Sequence, residues 1–380
     1  MIENRIDIAL FTEASYKSGL FPILYRTLEV GVSLPVQSER LDYQRGVLDT
    51  LVHQRSLFAN PWVSYRYMSQ DGRRDFRFRI DHSRNSPYLY DRIDYRDDSQ
   101  PLVVKLGNPN LKGSVVSTID ADYTDRKGRN QQQYHLGISF QYHHRDVSQS
   151  VAYNQQNGIY TYRPLNVSGA YLLNGKFDFS RALGEKRYWT FQTNADASYH
   201  HSVDHAMLAG ETESYVNTVN TTVLHDGAYI QYNKDVFNIR ASGDIRWRHS
   251  EGRMRDFETL DALDFNYGLS ARYTIPRIKT TLSADATMYS RRGYGSAELN
   301  TDDFVLNASL SQPFWKGKLI ARVEAFDLLH QVSSTQYSVN AQGRTETWFR
   351  SLPHYVMLHL VFHWNKNPKK GGGSGSCPIF

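Results

Sequence analysis

Hydrophobic and polar residues alternate with a period of two along most of the chain. In segment 238–248 the odd positions hold Ile, Ala, Gly, Ile and Trp, whereas the even positions hold Asn, Arg, Ser, Asp, Arg and Arg. Successive side chains of a strand point to opposite faces, so this pattern predicts a half-buried β-strand. The same alternation recurs at 6–16, 24–34, 115–124, 134–143, 189–200, 264–275, 281–289, 304–311, 319–327 and 356–363.

The length of these strands indicates a membrane. Strands in soluble proteins usually have about 5–6 residues, whereas many of these have about 10–13, enough for a tilted strand to cross a bilayer. Aromatic residues end several apolar stripes, as Trp189 and Tyr199 do, and such girdles are typical of the two membrane interfaces. We therefore predict an all-β fold, a transmembrane antiparallel β-barrel of about 14–16 strands over residues 1–365.

The two faces of the predicted strands then have different surroundings. The apolar face meets lipid, and the polar face, which mixes charged, amide and hydroxyl side chains with glycine, lines a water-filled lumen. The residues that we expect to face the lumen are Arg240, Asp244, Arg246, Arg322, Glu324 and His359.

A soluble, strand-rich sandwich or solenoid is the alternative, because alternation is a weak barrel signal in any one segment. Turn signals favour the barrel. Sequences such as DRKGRN from Asp125, NQQNG from Asn154, LGEKR from Leu183 and SRRGYGSAELN from Ser290 give connections that alternate between short and long. A barrel with tight turns at one end and long loops at the other has this spacing.

Composition narrows the function. The 44 basic residues are spread among 39 acidic ones, and the net charge of +5 gives no nucleic-acid footprint. A single cysteine excludes a disulfide framework and a cysteine-based zinc site. The chain has no GxSxG, HExxH, GxxxxGK[ST] or GxGxxG motif. We therefore expect no enzyme activity, catalytic residue, cofactor or metal; the histidines in YHHSVDHAM fit a solvated loop or lumen better than a metal site.

One loop is a candidate for contact with a solute. The segment YLYDRIDYRDDSQ, from Tyr88 to Gln100, is aromatic and charged, and functional residues concentrate in such loops. We expect Tyr88, Tyr90, Asp91 and Tyr95 to contact the solute, although a simple solvated loop would have the same composition.

Several segments resemble TonB-dependent outer-membrane receptors. LGNPNLKGSVVSTIDADY, from Leu106, is similar to the GNPxLK motif that precedes a barrel strand in that family. The segments FNYGLSARYTIP, DDFVLNASLSQPFWKGKLIARVEAFDLLHQ and SLPHYVMLHLVFHWNKNPKK resemble its last strands. In the DLLHQ turn after Asp327, His330 stands where the family usually has Asn.

The resemblance implies the barrel part of an importer in the bacterial outer membrane. Family members enclose a plug in a 22-stranded barrel, take energy from the TonB complex and import a scarce solute such as a siderophore, cobalamin, glycan or peptide. The first residues of this chain already read as a strand, with no signal peptide, TonB-contact segment or plug before them, so we expect a partial barrel that cannot transport actively by itself. A passive porin-like channel and a soluble secreted binding protein are the alternatives. Residues 366–380, rich in Gly and Ser, are expected to form a flexible tail.

Overall fold

The computed structural model describes most of the chain. It covers residues 2–18, 24–45, 48–128, 131–207, 211–253, 257–295, 297–331, 335–340, 343–348 and 354–363. The predicted tail, 366–380, lies outside the described residues. Within the ranges described, no helix is both long enough and apolar enough to cross a membrane.

Strands dominate the described residues. In chain order they are β1 Ile2–Ser18, β2 Leu24–Arg45, β3 Leu48–Leu57, β4 Asn60–Ser69, β5 Arg74–Asn85, β6 Arg96–Gln100, β7 Val103–Leu106, β8 Ser114–Lys127, β9 Gln132–Asn154, β10 Ile159–Val167, β11 Ala170–Leu183, β12 Trp189–Ala206, β13 Tyr215–Lys234, β14 Phe237–Gly252, β15 Leu260–Thr274, β16 Thr281–Arg292, β17 Asp302–Phe314, β18 Leu319–Phe326, β19 Thr335–Asn340, β20 Gly343–Trp348 and β21 Tyr355–Phe362. One short helix, α1 Leu89–Arg92, precedes β6. Two 3₁₀ turns span Ala297–Leu299 and Trp315–Gly317.

The long strands form one antiparallel wall. Its order is β1, β2, β3 with β4, β5, β8, β9, β11 to β18 in sequence, and β21. With β3 and β4 counted as one broken strand, the described chain contributes fifteen strands to this wall. The fold confirms the prediction of an all-β, antiparallel architecture. Across the described residues the sheet is not closed, because β1 pairs only with β2 and β21 only with β18.

The connections differ between the two ends of the wall. At one end, which we call the short-turn end, the strands are joined at 70–73, 184–188 and 235–236. At the other, the long-loop end, connections such as 86–113 and 155–169 carry additional elements. Outer-membrane barrels have short periplasmic turns and longer external loops, so this asymmetry orients the wall.

The break between β3 and β4 has a local cause in β2. Ser33 of β2 pairs with Asn60 of β4, and Val36 of β2 pairs with Leu57 of β3. Residues 34–35 of β2 and residues 58–59 opposite them are therefore outside the regular ladder. Pro35 lies in this gap and has no N–H to donate, although its carbonyl accepts the Phe58 N–H at 3.1 Å. The chain therefore pairs with β2 as β3, leaves the ladder for two residues, and pairs with β2 again as β4.

The wall has a polar face and an apolar face, as the alternation predicts. The apolar face keeps large hydrophobic side chains exposed, among them Ile119, Leu136, Ile138, Leu173, Leu224, Ile230, Ile245, Leu269, Leu282, Leu310, Val323 and Leu358. A patch of this extent is not left uncovered by a soluble monomer. It is suited to lipid.

Aromatic rings border the apolar face at both ends. Near the short-turn end, the ring centroids of Trp189 and Tyr232 are 4.9 Å apart. Towards the long-loop end, Tyr171 contacts Tyr199 at 5.9 Å and Phe140 at 6.2 Å. Tyr and Trp prefer the membrane interface because their rings are apolar and their tips are polar. These rings mark the two edges of the lipid-facing band.

Candidate lumen surface and its inward loop

A ladder of histidine and carboxylate groups crosses the polar face from β8 to β12. His135 of β9 lies between two aspartates: its Nδ1 is 2.8 Å from Asp178 Oδ2 and its Nε2 is 3.2 Å from Asp122 Oδ1. Asn194 of β12 donates its side-chain amide to Asp178. Because each contact joins neighbouring strands, the ladder fixes the polar side chains of this face relative to one another.

A second triad continues the ladder on β12 to β14. His225 Nε2 is 2.5 Å from Asp244 Oδ2, and His225 Nδ1 is 3.3 Å from Asp196 Oδ2. The predicted lumen residue Arg246 stands in register with His225 on the next strand. Asp244, also predicted to face the lumen, therefore pairs with a histidine rather than with an arginine.

Three of the other predicted lumen residues, Arg322, Glu324 and His359, form a cluster on β18 and β21. Arg322 Nη1 donates to Glu324 Oε1 at 3.0 Å, and His359 Nε2 of β21 lies 2.9 Å from Glu324 Oε2. All three side chains are partly exposed on the polar face. A carboxylate between two basic groups is ordinary for a wet lumen, where exposed ion pairs contribute about 0–1 kcal/mol each.

A cavity of about 760 Å³ lies on the polar face between β13 and β18. Its lining includes Arg240, Arg272, Asp285, Asn307 and Glu324, so it brings together two of the predicted lumen residues from β14 and β18. Its volume is within the range of small-molecule sites. The wall of this cavity can hold a polar solute through both cationic and anionic groups.

The guanidinium of Arg240 is fixed by an aromatic neighbour. Its Cζ lies 3.5 Å from the centroid of the Tyr229 ring, which belongs to the adjacent strand β13. A stacked guanidinium loses less freedom when it binds an anion than a mobile one does. Arg240 is therefore a preorganised anion contact in this cavity.

The connection 86–113 folds inward over the polar face at the long-loop end. Leu89 and Ile93, in and just after α1, pack with Tyr95 against Leu41 and Tyr43 of β2, and these five side chains form a buried apolar cluster. Arg92 Nη1 donates to Gln54 Oε1 of β3 at 2.5 Å, and the Ser86 N–H donates to Gln37 Oε1 at 3.0 Å. The loop thus narrows the space beside the wall.

The four loop residues predicted to touch a solute differ in their exposure and packing. Tyr88 is 65% exposed and available for contact. Tyr95 is only 6% exposed, its ring centroid lies 4.3 Å from that of Tyr90, and burial raises the pKa of its phenol. The backbone carbonyl of Asp91 accepts the Asn108 N–H at 2.7 Å. Tyr95 therefore packs within the loop, whereas the Tyr88 ring is open to solvent, and its contact with a solute stays a prediction.

The GNPNLK segment joins the loop to the wall. Gly107 lies so close to the loop that a Cβ there would be 1.8 Å from the Ile93 carbonyl oxygen. Asn108 is buried, and its amide donates to the Pro164 carbonyl of β10 at 2.9 Å. Lys112 N–H donates to Asn166 Oδ1 at 2.8 Å. The motif has a structural explanation, because it holds the inward loop against β10 just before β8 begins.

The DLLHQ turn has a conformation that suits either His or Asn at its fourth position. His330 has φ of 58°, in the left-handed region where Asn, Asp and His are enriched. The fully buried Asp327 accepts the Gln331 N–H at 3.1 Å. His330 Nδ1 also lies 2.6 Å from His354 Nδ1, ahead of β21. His330 therefore keeps the turn in a conformation that Asn would also adopt.

The sequence did not reveal the histidine and aspartate ladder. Alternation already places His135, Asp178, Asp196 and His225 on the polar side, but their pairing depends on strand register. The histidines of YHHSVDHAM are not gathered: His200 and His201 are successive strand residues and point to opposite faces. In the part of the chain that the structure describes, no three His, Cys, Asp or Glu side chains are arranged to hold a metal ion.

Comparison with known proteins agrees with this architecture. Residues 61–233 match the model of the outer membrane protein beta-barrel family. No curated protein matches the chain. The matched segment runs from β4 to β13 and includes both the inward loop and most of the ladder. Together with the antiparallel wall and its two faces, this match makes the chain a transmembrane β-barrel protein of the bacterial outer membrane.

Proposed function

We propose that the chain forms the wall of an outer-membrane importer for a scarce polar solute, energised through the TonB complex. The observation that supports this proposal is the joint at Gly107 and Asn108, where a segment resembling the TonB-dependent receptors holds a loop over the polar face. A packed loop hinders free diffusion beside the wall. The charged cavity near Arg240 and Glu324 then offers a binding place for the solute.

Uptake measurements in paired strains test this proposal. The complete gene that contains this chain is expressed in cells with and without a functional TonB complex, and uptake of labelled ferric siderophore, cobalamin, oligosaccharide and peptide is compared. We expect uptake of one class to depend on both the chain and the TonB complex. Uptake that is the same in the two strains would reject energised import.

A passive channel is the second candidate function, because the polar face carries charged and hydroxyl groups along its length. It requires a stable open pore. Single-channel recordings of the purified protein in planar bilayers with KCl distinguish the two functions. Steady conductance without any solute favours the channel, and its absence in folded, inserted protein favours the importer.

For a conducting form, the charges of the cavity should set ion selectivity. Glu324→Gln removes a negative charge and is expected to lower the K⁺/Cl⁻ permeability ratio, whereas Arg240→Gln is expected to raise it. At roughly 8 Å in water one unit charge contributes about 0.5 kcal/mol, or about a twofold change. The permeability ratio follows from reversal potentials in a KCl gradient.

The matched control is Asp71→Asn, which removes a charge from a turn at the short-turn end. It should leave the ratio unchanged. Equal shifts for Asp71→Asn and Glu324→Gln would mean that the cavity does not line the conducting path.

A further inference from the structure

A row of histidines borders the apolar face beyond its aromatic girdle at the long-loop end. His144, His201 and His249 each lie beside an aromatic ring. The ring centroids are 4.8 Å apart for His144 and Tyr142, 5.0 Å for His201 and Tyr171, and 5.8 Å for His249 and Trp247. Because the girdle marks the membrane interface, this row lies at the level of the lipid headgroups of the outer leaflet.

The part of this row on β5, β8 and β9 is a connected hydrogen-bond chain. Arg84 Nε donates to His82 Nε2 at 3.3 Å, and His82 Nδ1 lies 3.0 Å from Ser117 Oγ. Ser117 Oγ in turn lies 2.9 Å from His144 Nε2. Since His82 Nε2 accepts from arginine, its proton is on Nδ1 and donates to Ser117, whose hydroxyl donates to His144. We call these four residues the β5–β9 patch.

The β5–β9 patch differs from the rest of the row in its charge. On β14 and β15, His249 Nδ1 lies 3.9 Å from Asp261 Oδ2. On β16, Arg292 donates two hydrogen bonds of 2.8 Å to Asp302, which neutralises it. Arg84 is exposed, and among the described residues no carboxylate forms an ion pair with it. The nearest acidic residue along β9, Asp146, is bound to His143 at 2.8 Å.

We propose that the β5–β9 patch binds the phosphate group of an anionic lipid in the outer leaflet. The two terminal nitrogens of the Arg84 guanidinium can bind phosphate oxygens in a bidentate manner. His144 can add a donor from the far end of the chain, and Ser117 keeps the two histidines in place. The apolar surface of Ile80 and Ile119 below the patch would cover the acyl chains. This proposal does not depend on which solute, if any, the barrel transports.

Lipid retention measured by native mass spectrometry tests the proposal. The purified, folded protein is mixed in detergent with bis-phosphorylated lipid A or with its dephosphorylated form. We expect the wild type to retain the phosphorylated lipid about tenfold better, as charge-assisted hydrogen bonds of this kind allow. The double variant Arg84→Gln with His144→Gln should lose this preference.

Arg292→Gln is the matched control, since it removes an arginine that is already paired with Asp302. Heat-modifiable migration on gels identifies the folded material for each variant. If the double variant fails to fold, Ser117→Ala provides the test, because it interrupts the hydrogen-bond chain without removing a charge and should weaken retention several-fold.

Three outcomes would overturn the proposal. One is unchanged retention by every folded variant of the patch. Another is equal loss for Arg292→Gln, which would indicate unspecific attraction to a basic surface. The third is complete displacement of the lipid by millimolar inorganic phosphate, which would indicate a site for a free anion rather than for a membrane lipid.

Discussion

Replacing Leu269 with arginine is expected to destabilise the folded barrel by about 2–4 kcal/mol, because it places a charge in the middle of the lipid-facing band. Leu269 lies on β15 and is 50% exposed on the apolar face. In a soluble protein the same exposed position would tolerate arginine within about 0.5 kcal/mol. The measurement is the free energy of unfolding in lipid vesicles, obtained by titration with a denaturant.

The neighbouring variant Ser270→Arg is the matched control. Ser270 points to the polar face, where it stands in register between Arg240 and Asp285. We expect a change below about 1 kcal/mol, because lumen substitutions mainly alter selectivity. A larger loss for Ser270→Arg than for Leu269→Arg would reverse the assignment of the two faces.

Replacing Gly107 with alanine is expected to release the inward loop. The new methyl group would lie 1.8 Å from the Ile93 carbonyl oxygen and 2.8 Å from the Tyr95 ring, so the backbone must move. Overpacking of this kind costs about 1–3 kcal/mol. Since the Ile93 carbonyl and the Tyr95 ring must move, we expect this part of the loop to detach from β2 while the wall stays folded.

Limited digestion with trypsin measures this release. The loop contains Arg92, Arg96 and Lys105, and cleavage there should become several times faster in Gly107→Ala. Gly128→Ala is the control, because a Cβ at that glycine meets no atom within 4 Å. Identical cleavage rates for the two variants would show that the loop does not depend on the close approach at Gly107.

The prediction for Leu269 requires only that each residue is assigned to the apolar or the polar face, and the alternation in the sequence gives this assignment. The period of two in 264–275 assigns Leu269 to lipid and Ser270 to water, and the structure agrees. The prediction for Gly107→Ala could not be made from the sequence. GNPNLK identified a conspicuous segment, but the contact between Gly107 and Ile93 joins residues 14 positions apart in an irregular loop.

Among the predicted lumen residues, some contacts follow from the sequence and others depend on how the strands pair. Arg322 and Glu324 are two positions apart on one strand, so their contact follows from the alternation. His359 reaches Glu324 only because β21 pairs with β18 across a long connection. Likewise, Asp244 contacts His225 only because β13 pairs with β14 and brings the imidazole Nε2 to 2.5 Å from Asp244 Oδ2.

The sequence by itself determined the all-β architecture and the side of the wall on which the alternating residues lie, whereas the strand lengths were underestimated, since β2 has 22 residues and β9 has 23. The architecture and the two faces follow from local geometry, since a strand alternates its side chains whatever its neighbours are. Only the tertiary structure decided the strand register and the inward course of the 86–113 loop, and with them the histidine ladder and the β5–β9 patch. Those features depend on contacts between residues far apart in the chain. The alternation excludes register shifts of one residue, but it does not choose among shifts of two, which the turns between the strands decide.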